Sequence, residues 1–81
     1  MALSFEKAFG LSMKFFRKEK NFTQMELVRR SGLDRTTIPR YERGELSPSL
    51  RNVVKIAEAL EIPAEVLVAR TVTYWKAEST P

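Results

Sequence analysis

The sequence predicts an all-α fold of five short helices, and three observations carry that prediction. Apolar residues recur at three- and four-residue steps through most of the chain, which gathers them on single helix faces. Strand-like alternation is nearly absent before Thr71. Capping residues and Gly or Pro breaks fall between the periodic stretches, where helix ends belong. The 81 residues suffice for one domain. A domain of this size buries only about 60% of the surface its unfolded chain exposes, so modest stability is expected.

The first helix is expected over about Leu3–Lys20. Phe5, Ala8, Phe9, Met13 and Phe16 form its apolar face, and Asn21 ends it, since Asn tolerates the left-handed conformation past a last turn. Thr23 opens the second helix. Glu26, three residues on, completes a capping box, and Phe22 with Leu27 makes a hydrophobic staple. This helix ends near Arg30, with a turn at Ser31-Gly32. Asp34 is expected to cap a third helix over about Arg35–Tyr41, which Arg43-Gly44 stops. Glu45–Pro48 form a loop. A fourth helix, about Ser49–Leu60, is expected to bury Leu50, Val53, Val54, Ile56, Ala57 and Leu60. A fifth covers about Pro63–Arg70, and Pro63 suits a first turn because its missing N–H has no partner there. Residues 1–70 make the domain, and 71–81 form a short C-terminal tail. Thr-Val-Thr-Tyr-Trp has strand propensity but no other strand in the chain to pair with. The tail therefore continues the fifth helix, pairs with a partner chain or folds back, and residues 77–81 are expected to be disordered.

Composition removes most chemistry. The chain has no Cys, which excludes disulfides and thiolate metal sites, and no His, the commonest general base and metal ligand. The remaining carboxylates, lysines and hydroxyls form no nucleophile–base or acid–base cluster, so no metal, cofactor or enzyme activity is expected. No apolar run approaches the ~20 residues that span a bilayer. Met1–Glu6 lacks the basic start and apolar core of a signal peptide, so a cytoplasmic location without a membrane partner is expected. The formal net charge is +4. Residues 1–44 carry ten Lys/Arg against five Asp/Glu, whereas residues 45–81 carry four against five. A basic half suits a polyanionic partner, although a merely solvated basic surface has the same composition. The basic residues form no continuous stripe opposite an apolar face, as a membrane-surface helix requires.

The informative segment is Gln24–Arg43, QMELVRRSGLDRTTIPRYER. Two short helices joined by a Gly-containing turn make a helix-turn-helix, whose second helix enters the DNA major groove. Such a unit needs Leu27 pointing into the core and Gly32 at a positive φ. It needs Leu33 beneath the turn, and Ile38 and Tyr41 facing inward from the third helix. The sequence supplies all five at the required spacing.

These residues resemble the phage repressor and Cro-like helix-turn-helix proteins, the XRE family. The resemblance runs from about Phe9 to Val68. It includes Phe16–Gln24, Ser31-Gly32-Leu33, Ile38, Tyr41–Gly44, Pro48-Ser49-Leu50 and Lys55–Leu60, in order and at matching spacings. It implies a five-helix lambda-repressor-like domain that binds double-stranded DNA as a homodimer on an inverted-repeat operator, as a transcription regulator of the repressor kind. Carried over residue by residue, it implies base reading by Arg35, Thr36 and Arg40. Arg can donate twice to guanine, and Thr can offer its methyl to thymine. It implies backbone contacts from Gln24, Thr37, Arg43 and the loop through Ser47. It implies a pair, Arg17 and Glu42, that positions the recognition helix. Dimer contacts are expected around the fifth helix, at Ile62, Val66, Val68, Tyr74 and Trp75, although Trp75 could equally cover the monomer's own core.

Three departures stand out. Pro39 lies inside the expected recognition helix, where it removes the bond to the Arg35 carbonyl and re-aims Arg35 and Thr36. Val28 stands where the family usually has Ala. Leu11 and Phe15 lie opposite the Phe9–Met13–Phe16 face, where the family is usually polar. That pair is either trivially exposed or touches the tail, a partner chain or another protein. The last case keeps open a second reading, an antitoxin or adaptor whose main contact is a protein partner.

Overall fold

The computed structural model describes residues 3–79. They form five α-helices: α1 (Phe5–Glu19), α2 (Gln24–Ser31), α3 (Thr37–Glu42), α4 (Leu50–Ala59) and α5 (Ala64–Ser79). No strand occurs among the described residues. Ser4, Thr23 and Ser49 cap α1, α2 and α4, each accepting the backbone N–H three residues on. At α2 only half of the expected capping box forms. Thr23 Oγ1 accepts from the Glu26 N–H at 3.1 Å. The Glu26 carboxylate goes instead to Arg29 and to Arg30 Nε, the latter at 2.8 Å. Charge-assisted bonds to guanidinium are stronger than one to a neutral amide, and that decides the competition.

Three helices end in the same way. After α1, the Phe22 N–H reaches the Arg17 carbonyl and the Asn21 N–H reaches Lys18. After α3, Glu45 reaches Arg40 and Gly44 reaches Tyr41. After α4, Ile62 reaches Ala57 and Glu61 reaches Glu58. These are Schellman closures, each needing one left-handed residue. Asn21, Gly44 and Glu61 supply it, at φ of 59°, 74° and 61°. Glu61 is the costly choice, because a side chain at such a φ clashes with the following carbonyl.

The core joins all five helices through Phe9, Met13, Leu27, Ile38, Tyr41, Ile56, Leu60 and Leu67, with Phe16, Phe22, Leu33, Leu46 and Ile62 packed against it. Two residues expected inside α4 are outside. Leu50 is 78% exposed and Val54 39%. Leu50 is the first residue of the helix, and Val54 sits about 100° around it from the buried Val53.

The tail is helix. Helix α5 continues from Arg70 through Ser79, while Thr80 and Pro81 lie outside the described residues. Tertiary contacts override the strand propensity of Thr71–Trp75. Thr71 is buried, and its hydroxyl donates to the Leu67 carbonyl at 2.9 Å, which also accepts from Ser12 of α1 at 3.0 Å. Phe5 and Trp75 pack edge-to-face, with ring centroids 5.3 Å apart. The Arg70 guanidinium lies 3.7 Å from the Phe15 ring centre and donates to the Tyr74 hydroxyl at 3.3 Å. Leu11 and Phe15 are accordingly half-buried rather than exposed. Helix α5 lies along α1, and Phe15, one of the two apolar residues that depart from the family pattern, takes part in that contact.

Candidate DNA interface

Helix α3 starts two residues later than the sequence suggests, and Pro39 explains the shift. With Thr37 as the first helical residue, Pro39 is the third. The first four N–H groups of a helix have no intrahelical partner, so the missing one there is harmless. The first full helical bond is Arg40 N–H to the Thr36 carbonyl, at 3.3 Å. Arg35 and Thr36 form a turn in front of the helix. Asp34 organises that turn: its carboxylate accepts from the Thr36 hydroxyl at 2.7 Å and the Thr36 N–H at 2.8 Å. Its own carbonyl accepts from the Thr37 N–H at 2.9 Å. The two Thr36 bonds, the hydroxyl first, hold the Asp34 carboxyl below the usual carboxylate range. They also commit the Thr36 hydroxyl and leave its methyl for outside contact. The Gly32 turn before this segment has φ 71°, with open space where a side chain would stand.

The back of α3 is locked in place. Arg17 of α1 grips Glu42 with two bonds, Nε at 2.7 Å and Nη2 at 3.1 Å, and donates a third to the Phe22 carbonyl at 2.7 Å. Gln24, at the start of α2, donates to Glu42 Oε1 at 3.0 Å. One carboxylate thus ties α1, the α2 start and α3 together. The ion-paired side chains are only 10% and 6% exposed, so every bond counts toward their desolvation. The Gln24 amide nitrogen keeps a second N–H. Tyr41 packs edge-to-face on Phe9 and accepts from Asn52 of α4 at 2.8 Å. Gly10 allows α1 and α3 to touch backbone to backbone: a Cβ there would lie 2.2 Å from the Tyr41 carbonyl oxygen.

The outer side is basic and open. Arg35, Thr36, Arg40, Arg43 and Ser47 are exposed, and Thr37 is half-buried. Leu27, Ile38 and Tyr41 are buried, with Leu33 half-buried below the turn. Glu45 sits among the arginines. Its carboxylate takes Arg43 Nε at 2.5 Å and Nη2 at 3.2 Å, and Arg40 Nε at 3.4 Å. These hydrogen bonds, led by Arg43, push the Glu45 carboxyl below its ordinary value and raise the Arg43 guanidinium.

The expected dimer residues do not share one surface. Ile62 and Tyr74 are half-buried, Ile62 against the core and Tyr74 under Arg70. Val66, 40% exposed, lines a groove with Phe16 and Arg70. Val68, 41% exposed, lines a recess with Phe5, Pro48 and Leu50. Two residues along a helix are about 200° apart, so these are opposite flanks of α5. Sequence reasoning missed Gly10, Asn52 and the Glu45 clasp. Gly10 carried a signal, since a lone Gly inside a strongly periodic helix often marks close packing.

No group of three or more metal-ligating side chains occurs among the described residues, and no helix there is long and apolar enough to cross a membrane.

A buried clamp behind an exposed basic helix is the arrangement of a helix-turn-helix DNA-binding domain. The chain belongs to the helix-turn-helix family, whose pattern it matches over residues 13–67. That family consists of XRE-type transcription regulators and not of enzymes. The chain is 42% identical over 57 residues to the cryptic phage CTXphi transcriptional repressor RstR of Vibrio cholerae, a stretch covering 70% of this chain. It spans about half the length of that curated relative, 51%. Among solved structures it is similar to the restriction-modification controller protein C.AhdI from Aeromonas hydrophila, with TM-score 0.74 and 37% identity over 76% of this chain and 94% of that one. It is also similar to the controller protein C.Esp1396I, solved as a tetramer with its natural 35 base-pair operator. There the TM-score is 0.81 and the identity 26%, over 91% of this chain and 97% of that one.

Proposed function

We propose that this chain is a sequence-specific double-stranded DNA-binding regulator, a repressor that works as a homodimer on an inverted-repeat operator. The observation that carries the reading is the exposed row Arg35, Thr36 and Arg40 on an element fixed from behind by the Arg17–Glu42–Gln24 clamp. Rigid backing matters because base reading depends on side chains held in register. Arg35 and Arg40 donate to base edges, and the Thr36 methyl meets thymine. Gln24, through its second N–H, and Thr37 and Ser47 set the register on phosphates. Arg43 stands at the same edge. The operator complex solved for C.Esp1396I supports the DNA reading.

One domain of this size covers one half-site, and two half-sites lie about 34 Å apart. For the dimer surface, the better flank of α5 is the one with Val68 and Trp75. It continues into Phe5 and the strongly exposed Leu50, around an apolar recess of about 250 Å³. The protein-partner reading needs Leu11, Phe15 and the aromatic tail as its working surface; Leu11 and Phe15 are half-buried, Arg70 covers the Phe15 ring and Trp75 packs on Phe5, so no specific observation favours it. The work of the protein would take place in the cytoplasm, where its DNA is.

Selection from a random duplex pool at two salt concentrations tests the reading. Enrichment of an inverted repeat, with affinity falling steeply as salt rises, is expected. Weak binding with no enriched sequence contradicts it.

A further inference from the structure

A carboxylate in the middle of a DNA-facing row of arginines works against phosphate binding, and Glu45 occupies that position with unequal grips. Arg43 is held by two bonds, at 2.5 and 3.2 Å. Arg40 is held by one longer contact, at 3.4 Å. The backbone fixes Glu45 where it is, because its N–H closes the Schellman end of α3 on the Arg40 carbonyl at 2.9 Å. The cap thus fixes the backbone from which the Glu45 side chain reaches both arginines.

We infer that Glu45 is a specificity-setting residue of the DNA interface: it keeps Arg43 occupied and holds Arg40 loosely aimed. The inference rests on the DNA-binding reading above. The two grips give two consequences. Both pairs are exposed, and exposed pairs are weak unless bidentate, so Arg40 can exchange its single long contact for two well-placed bonds to a base edge, while Arg43 has a two-bond grip to lose. Arg43 gains nothing comparable from a lone phosphate. To reach one it must give up a bidentate partner and leave an unpaired carboxylate facing a polyanion. Non-specific complexes are held almost entirely by phosphate contacts, so withholding one arginine weakens them directly. A specific complex, held in register by base contacts, loses less. Glu45 thus lowers binding to arbitrary sequence more than binding to the operator.

The test uses Glu45→Gln, which keeps the shape and removes the charge. Affinity is measured for the selected operator and for a scrambled duplex across a salt series. Non-specific affinity should rise about three- to ten-fold, with the slope of log affinity against log salt steeper by about 0.9, one phosphate contact. Operator affinity should change by less, so the ratio between them falls. Glu58→Gln removes the same charge from an α4 residue and should leave that ratio unchanged. In an Arg43→Ala background the effect of Glu45→Gln on the scrambled duplex should largely disappear. Independently of DNA, the Nε–H resonance of Arg43 in the free protein should shift and exchange faster with solvent in Glu45→Gln.

An unchanged Arg43 resonance overturns the inference even if the wild type binds an operator tightly. So does a loss of operator affinity at constant non-specific affinity, which would make Glu45 a base reader. Equal effects from Glu58→Gln would reduce it to net charge. A wild type that selects no sequence contradicts the DNA reading itself, whatever the Arg43 resonance shows.

Discussion

Gly10→Ala tests the packing of α3 because two physical effects predict opposite signs. Gly10 is the sixth residue of α1. Helix propensity alone says that Ala should stabilise that position by about 1 kcal/mol. The structure says otherwise. The new methyl would stand 2.2 Å from the Tyr41 oxygen, 2.9 Å from the Glu42 oxygen and 3.0 Å from the Glu42 Cα. All three are backbone atoms, so no side chain can turn aside. Helices α1 and α3 must part by the better part of an ångström. The movement falls on the two residues that carry the Arg17–Glu42 pair and the Tyr41–Asn52 bond. Overpacking of this kind costs about 1–3 kcal/mol, with more where rigid groups collide. With the backbone contact placing the collision at the upper end, about 3 kcal/mol, subtracting the propensity gain leaves a net loss of about 2 kcal/mol. For a domain of this size that lowers Tm by roughly 8–16 °C. Thermal unfolding followed by circular dichroism reads it directly. A Tm equal to or above that of the wild type would refute the close approach of α1 and α3.

Other substitutions test other parts. Glu61→Gly should stabilise the protein by about 1 kcal/mol by relieving a left-handed non-Gly residue, while the exposed Lys20–Glu61 pair it removes is worth little; denaturant titration measures it. Glu42→Ala leaves Arg17 buried without its partner and should cost about 3–5 kcal/mol, so that much of the chain is unfolded at 37 °C; an equilibrium urea curve checks this. Pro39→Ala restores an N–H within reach of the Arg35 carbonyl and should let α3 begin a residue earlier. Backbone chemical shifts of Arg35 and Thr36 should then move toward helical values, and they should stay put if Asp34 alone fixes that turn.

Much of the fold is legible in the sequence because its signals are local. Thr23, Ser49 and Asn21 mark helix ends by side-chain chemistry, and Phe9, Met13, Ile56 and Leu60 mark inner faces by spacing. The illegible parts depend on partners distant in the chain. Thr71–Trp75 reads as strand until Ser12, Phe5 and Phe15 of α1 are set beside it. Leu50 and Val54 read as core by hydrophobicity alone, yet the described residues leave them 78% and 39% exposed. Pro39 was legible as a disturbance, but whether the helix would bend or start later depended on Asp34 holding the turn before it. At the interface, the arginines could be read from the motif. Their engagement by Glu45 could not, because the Schellman turn that brings the carboxylate back exists only in three dimensions.

The central claim is that the outer side of α3 and the turn before it choose the DNA sequence. The most direct measurement is the base-by-base binding profile of the selected operator for Arg40→Ala and Arg35→Ala beside the wild type, at fixed salt. The account predicts that each variant loses about 1–3 kcal/mol on the operator and relaxes discrimination at one or two base pairs per half-site, with the rest of the profile intact. A uniform loss across all sequences, with every base preference retained, would show that these arginines only hold phosphates and would contradict it.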